Sequence, residues 1–245
     1  KNVANGKNPL QLHPYNPTYL YDSAIRPLRN MNVNGVIWYQ GESNATNIEI
    51  HERLFPLLIQ SWRSFFADSS LPFYYVQLSS INRPSWPWFR DSQRTMMQQL
   101  PNTGMAVSSD LGDSLDVHPR NKQPIGERLA RWALSKHKGF EQIVPSGPLF
   151  VGAKMQGKKV VVEFKYGKNL TTADNQPLRT LELAGADKVF YPAKTILKDG
   201  VLEAWSDSVQ QPKFVRYAYQ PFTRGNLVNS DKLPASTFLS AISAE

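Results

Sequence analysis

Residues 35 to 45 read "GVIWYQGESNA", a short apolar run between Gly35 and Gly41 that opens into polar residues. A run of that length between glycines predicts a strand buried on both faces. The next stretch, 47 to 66, has apolar side chains at Leu54, Leu58, Trp62 and at Phe55, Ile59. That spacing predicts a helix, and Pro56 inside it predicts a kink or a later start. Strand, polar loop and helix together form the repeating unit of a parallel sheet covered by helices.

The same alternation extends outward. "PFYYVQL" (72 to 78) and "GMAVSSD" (104 to 110) read as further strands, with helices over 91 to 100 and 122 to 137, the last ending near Gly139. Upstream, 22 to 31 suits a short helix, and 1 to 20, rich in Asn, Pro and Tyr, reads as a lead-in loop. After Pro145 the period changes. "LFVGAKM", "KKVVVEF", "KVFYPAKTIL", "GVLEAW" and "KFVRYAY" are short, extended and separated by Gly, Asp, Asn or Pro, which predicts a small antiparallel sandwich or sheet. The fold class is therefore α/β, with residues 21–145 carrying the parallel sheet and 146–245 a β-sandwich appendage. The break falls at 140 to 148, where "VPSGP" interrupts the pattern.

With 245 residues, 41% of them hydrophobic, the chain can bury a real core. It begins with Lys1, as expected of a processed or partial chain; no signal peptide is visible, and no apolar run approaches the ~20 residues that span a bilayer. The absence of cysteine excludes disulfides, thiolate metal sites and cysteine nucleophiles. The net charge of +8 raises the question of nucleic acid, but the lysines and arginines are scattered, and Lys154, Lys158 and Lys159 are the densest group. A phosphate-tracking surface concentrates its charge, so no nucleic-acid partner is expected.

Chemistry in an open parallel sheet gathers at the carboxyl ends of its strands. Two loops meet that condition: Gln40-Gly41-Glu42-Ser43-Asn44 after the first strand, and "DLGDSLDVHPRNK" (110 to 122) after the third. His118 in the second loop is the side chain best suited to take and return a proton near neutral pH. Asp116, Asp113 or Asp110 could orient it. His13, His51 and His137 read as a loop residue and two helix-end residues without a catalytic role. No His-x-His or Glu-x-x-His spacing surrounds His118, so no metal is expected. Arg120, Asn121 and Lys122 suit a cap for the following helix, or a contact to a substrate carboxylate. The aromatic loop "NRPSWPWF" (82 to 89) could instead grip a glycan without chemistry. Asn44-Ala45-Thr46 and Asn169-Leu170-Thr171 match the short glycosylation acceptor pattern.

"GVIWYQGESNA", "LPFYYVQL" and "DVHPRNKQPIGERLA", with "FVRYAYQ…NLVNSDKLPAS" later, resemble the sialate O-acetylesterase family of SGNH hydrolases. The likeness runs from about Tyr19 to Ser236. It implies a three-layer, flavodoxin-like hydrolase domain with a parallel sheet, incomplete at its N-terminus, followed by a small β-sandwich. The implied reaction hydrolyses an O-acetyl ester on a sugar through a serine acyl-enzyme; acetylxylan or another acetylated polysaccharide is the alternative substrate. His118 would be base and then acid, Asp116 or Glu42 its partner, and Gln40 an oxyanion donor. The family's nucleophilic serine sits in a Gly-Gln-Ser-Asn block upstream of the Gln-Gly-Glu block, so Ser43 is expected to shape its loop. The nucleophile is expected from an upstream segment or chain. The family usually places Asp three residues before the histidine, where this chain has Leu115, so Asp116 at two residues before it departs from the pattern. No cofactor is implied, and an exported enzyme, periplasmic, extracellular or lysosomal, is expected.

Overall fold

A computed structural model of the chain describes residues 16–244. Most of the lead-in loop expected over 1 to 20, with His13, lies outside the described residues. From Tyr21 a π-helical turn (Tyr21–Ile25) runs into a 3-10 turn (Arg26–Asn30), where the short helix was expected. Strands β1 (Val36–Trp38), β2 (Phe73–Val76) and β3 (Thr103–Ala106) then pair in parallel in the order β1-β2-β3. Helix α1 (Ile48–Phe65) follows β1, α2 (Trp86–Gln99) follows β2, and α3 (Gln123–Trp132) follows β3, continuing as a π-turn to His137.

The alternation along β2 sorts the helices by face. Phe73 and Tyr75 meet Phe55 of α1 edge-on at 6.0 and 4.9 Å, and the Tyr75 hydroxyl donates to the Gln93 carbonyl of α2. Tyr74, pointing the other way, stacks at 6.3 Å on Trp132 of α3. Trp132 also lies flat over Gly104, where a Cβ would come within 2.4 Å of the indole, so only glycine fits that strand position. Coverage on both faces therefore holds for β2 and β3. It fails at β1, the edge strand: Ile37 is 70% exposed, and the buried Trp38 indole N–H has no partner.

Two boundaries differ from expectation. Helix α1 starts at Ile48 and runs unbroken through Pro56, so the late start is corrected. Helix α2 begins at Trp86 rather than at residue 91, with Pro87 in its first turn, where a missing N–H costs nothing. The second half of the stretch read as an aromatic loop, from Trp86, is thus helix. Trp86 and Phe89 are buried and only Trp88 lies open, against Tyr219.

From Leu149 onward the chain is antiparallel. One four-stranded sheet has β4 (Leu149–Gln156), β5 (Lys159–Lys165), β10 (Val201–Trp205) and β9 (Lys194–Leu197) in that order. A second has β13 (Phe238–Ala241), β11 (Phe214–Tyr217), β7 (Leu181–Ala184) and β8 (Phe190–Pro192). The short pair β6 (Thr171–Thr172) and β12 (Leu227–Val228) completes the set. Val160, Val162 and Leu202 of the first sheet share one buried cluster with Leu183, Val215 and Phe238 of the second.

The two halves are joined by buried polar groups. Arg90 on α2 is fully buried and donates to the carbonyls of Ala218, Gln220 and Pro221 and to the Thr237 hydroxyl at 2.6–3.0 Å. Nearby, Asp91 pairs with Arg94 at 2.7 Å and accepts the Leu239 N–H.

Candidate active site

Three loops leave the carboxyl ends of β1, β2 and β3 and pack together. Gly112 of the third loop lies so close to Ser80 of the second that a Cβ would fall 2.1 Å from the Ser80 carbonyl oxygen. Hydroxyls stitch the same seam, with Ser80 donating to Ser109 O and Ser108 to Gln77 O, both at 2.7 Å.

The first loop turns at Gly41, whose φ of 151° with ψ of −12° is a conformation for glycine. A Cβ there would also meet Phe89 at 2.8 Å. The Glu42 carboxylate folds back to accept the Gly41 N–H at 3.0 Å, bracing the turn. Ser43 is exposed in the 3-10 turn Glu42–Asn44. Gln40 donates from Nε2 to Asn44 Oδ1 at 3.3 Å, and the Asn44 amide nitrogen lies 3.3 Å from His51 Nδ1.

His51 is 3% exposed, between the rings of Phe55 at 5.2 Å and Phe89 at 4.6 Å. Burial pulls its imidazole down to about 4, against a smaller opposing pull from Glu52. It is therefore neutral at physiological pH, and its Nδ1 can accept from Asn44. The result is a chain His51–Asn44–Gln40 that fixes the Gln40 amide and leaves one of its N–H bonds to spare. Nothing in the sequence set His51 apart from an ordinary helix-start residue; its position four residues before Phe55 was the available signal.

The third loop separates its carboxylates. Asp110 makes a forked pair with Arg128 of α3, both contacts at 2.7 Å. Asp113 accepts the N–H groups of Leu115 and Asp116, which hold its carboxyl below the ordinary range. Asp116 is the one beside His118: its Oδ1 accepts the His118 backbone N–H at 2.9 Å and lies 3.4 Å from His118 Nδ1. The His118 side chain is 80% exposed.

Lys122 bridges the first and third loops. Its ammonium lies 4.6 Å over the Tyr39 ring and 3.5 Å from the Tyr39 hydroxyl. Burial, reinforced by the Glu42 charge and eased by a hydrogen bond with Ser108, pushes the Tyr39 phenol up to about 12. The capping role expected around Arg120–Lys122 is not seen, since Lys122 is the N-cap of α3 and no side chain caps that end. Among the described residues no group of three or more His, Asp or Glu is placed to hold a metal.

A family model described as carbohydrate esterase, sialic acid-specific acetylesterase, matches residues 2–135. Sialate O-acetylesterase of Mus musculus is 35% identical over 158 residues, 56% of this chain and 29% of that protein. Its Homo sapiens counterpart is 33% identical over 175 residues, 62% of this chain and 34% of that protein. The crystal structure of a carbohydrate acetylesterase from Xanthomonas citri matches with a TM-score of 0.85 at 37% identity, covering 91% of this chain and 54% of that one. The chain thus spans about a third of these curated relatives and about half of the structural neighbour.

Proposed function

The chain belongs to the carbohydrate esterase, sialic acid-specific acetylesterase family, and from that premise we propose that it carries the base and an oxyanion donor of a sugar O-acetylesterase. The observation that supports this most is the His118–Asp116 pair on the same sheet edge as the Gln40 amide. In this reading a serine hydroxyl supplied by an upstream segment attacks the acetyl carbonyl while His118 takes its proton. The Gln40 N–H meets the oxygen as it becomes negative. His118 then hands the proton to the departing sugar oxygen, leaving an acetyl-serine. A water, deprotonated by His118, attacks the acetyl-serine; acetate leaves and the serine takes back its proton.

Asp116 holds the imidazole and stabilises its cationic form. Glu42 is the weaker candidate for that role, because its carboxylate folds back on its own loop at Gly41, whereas the Asp116 carboxylate lies beside the His118 ring. In this reading residues 21–145 are the C-terminal part of a three-layer SGNH domain and 146–245 a β-sandwich, in an exported enzyme. Sialate is favoured over acetylxylan by Arg120, which is exposed two positions from His118 and, though it faces the Asp113 charge, can turn to a substrate carboxylate. Acetate release from 9-O-acetyl-N-acetylneuraminate and from acetylated xylan, by the protein with its upstream segment, tests both levels. Release from neither would end the esterase reading, and release from xylan alone would replace the substrate.

A further inference from the structure

At the opposite end of the sheet a cavity of about 680 Å³ opens between the amino ends of β2 and β3, helix α3 and the β4–β5 strands. Its walls are aromatic. Trp132 meets Tyr166 edge-on at 6.1 Å and stacks on Tyr74, with Phe150 on the antiparallel side. Tyr166 is fixed in a left-handed conformation, φ 59°, and its carbonyl accepts from Asn229. Holding a bulky residue in that region costs free energy that the surrounding contacts must offset, so the backbone from which the ring projects is held in place.

Three polar features point into the space. Lys136 and Lys165 lie 5.7 and 5.3 Å from the Tyr166 ring, and neither forms an ion pair among the described residues. His137 stands beside them. The nearby acid, Asp68, is occupied by the N–H and hydroxyl of Ser70. The third feature is Tyr74 itself: the residue is 5% exposed, lines the cavity, and its hydroxyl has no hydrogen-bond partner. A hydroxyl that opens onto a cavity and has no protein partner is a group that a ligand can pair with.

We propose that this cavity is a second binding site, for a sugar acid whose carboxylate meets Lys136 and Lys165 while a ring hydroxyl pairs with Tyr74. Two exposed lysines that form no ion pair among the described residues offer their charge to an anion. The aromatic walls suit the C–H faces of a ring, and a flat apolar guest would leave the Tyr74 hydroxyl without a partner. The volume suits one or two sugar residues. The site lies across the sheet from His118, so it serves attachment or selection of an acidic glycan and does not depend on the esterase assignment.

Calorimetric titration of the full-length protein with D-glucuronate, and with D-glucose as the neutral control, tests it. Saturable glucuronate binding is expected, with glucose at least ~10-fold weaker, the worth of a charge-assisted contact. Lys136→Met with Lys165→Met should weaken glucuronate by ~10-fold or more, and Tyr74→Phe by ~3- to 10-fold. These variants should leave p-nitrophenyl acetate hydrolysis unchanged and retain the wild-type circular dichroism. Three results would overturn the proposal: no saturable binding, equal binding of glucose, or glucuronate binding lost in Arg120→Ala but kept in the lysine variant. Two exposed lysines and one hydroxyl leave the packing intact, so the comparison does not hinge on folding.

Discussion

One oxygen of Asp116 lies against His118 twice: Asp116 Oδ1 accepts the His118 backbone N–H at 2.9 Å and stands 3.4 Å from the His118 ring nitrogen Nδ1. A carboxylate in that position can orient the ring of a histidine once the imidazole turns toward it, leaving Nε2 to face a substrate. The neighbouring acids are engaged elsewhere, Asp110 with Arg128 and Asp113 with the turn.

Asp116→Asn in the full-length enzyme should therefore lower kcat by ~10²- to 10⁴-fold, the range for a carboxylate that orients a catalytic histidine. Asp113→Asn should stay within about threefold, since its N–H contacts lie in the turn. If Glu42→Gln costs more than Asp116→Asn, the partner has been misassigned.

The Gln40 amide is aimed through Asn44. Gln40→Ala should cost ~10²-fold in kcat with little change in KM, as for a donor that matters in the transition state. Asn44→Ala leaves the amide present but loose, so a smaller kcat loss of ~10-fold is expected, without a KM change. A loss confined to KM in both variants would move Gln40 to substrate binding.

His51 carries a pH signature. Its buried ring titrates at about 4 in the fold, against an ordinary 6.5. The unfolded chain thus takes up the proton first as pH falls. The stability tied to the neutral ring is complete above 6.5 and is lost progressively toward 4. Thermal melts over that window should fall more steeply for the wild type than for His51→Gln, which keeps an amide acceptor for Asn44 but does not titrate. Parallel slopes would show that the ring is not held neutral.

Arg90 tests how the two halves are held together. Burial pulls its guanidinium down to about 9, and it satisfies three carbonyls and a hydroxyl without a carboxylate partner. Arg90→Met should destabilise the chain by about 3–5 kcal/mol by orphaning those acceptors. Arg90→Lys should recover little, since one ammonium cannot reproduce the fork. A denaturation midpoint unchanged in Arg90→Met would show that the junction rests on apolar packing instead.

What the sequence revealed, and what it hid, follows from the range of each signal. β1, β2, α1 and α3 announce themselves by local period, and Gln40 and His118 stand out because each lies in the loop after a strand. The first turn of α2 was missed because Pro84, Ser85 and Pro87 punctuate like a loop, whereas proline is tolerated at a helix start. β7, "LELA", has no β-branched residue and exists through its pairing with β11. Spacing could not separate Asp110, Asp113 and Asp116, because what separates them are contacts: Arg128, a helix turn and a half into α3, takes Asp110, the turn takes Asp113, and Asp116 lies beside His118. His51 became visible only once Phe55 and Phe89 closed around it.

Ser43 carries the last prediction. It stands exposed in a 3-10 turn after a glycine, which invites the reading of a nucleophile turn. Yet among the described residues no histidine contact reaches it: His118 lies beside Asp116, and His51, buried and neutral, faces Asn44. A serine hydroxyl is a weak nucleophile until a base stands within about 3 Å of it. Ser43→Ala in the full-length protein should therefore keep acetyl-ester hydrolysis within about threefold of wild type, the scatter expected of a loop residue outside the reaction. A fluorophosphonate probe should label the full-length enzyme at a serine upstream of Lys1 and leave the peptide containing Ser43 unmodified. His118→Ala should suppress that labelling, because the attacking oxygen then keeps its proton. Labelling that maps to Ser43 would make "WYQGESN" the nucleophile turn and would recast Gln40 as its neighbour in the strand-to-helix bend.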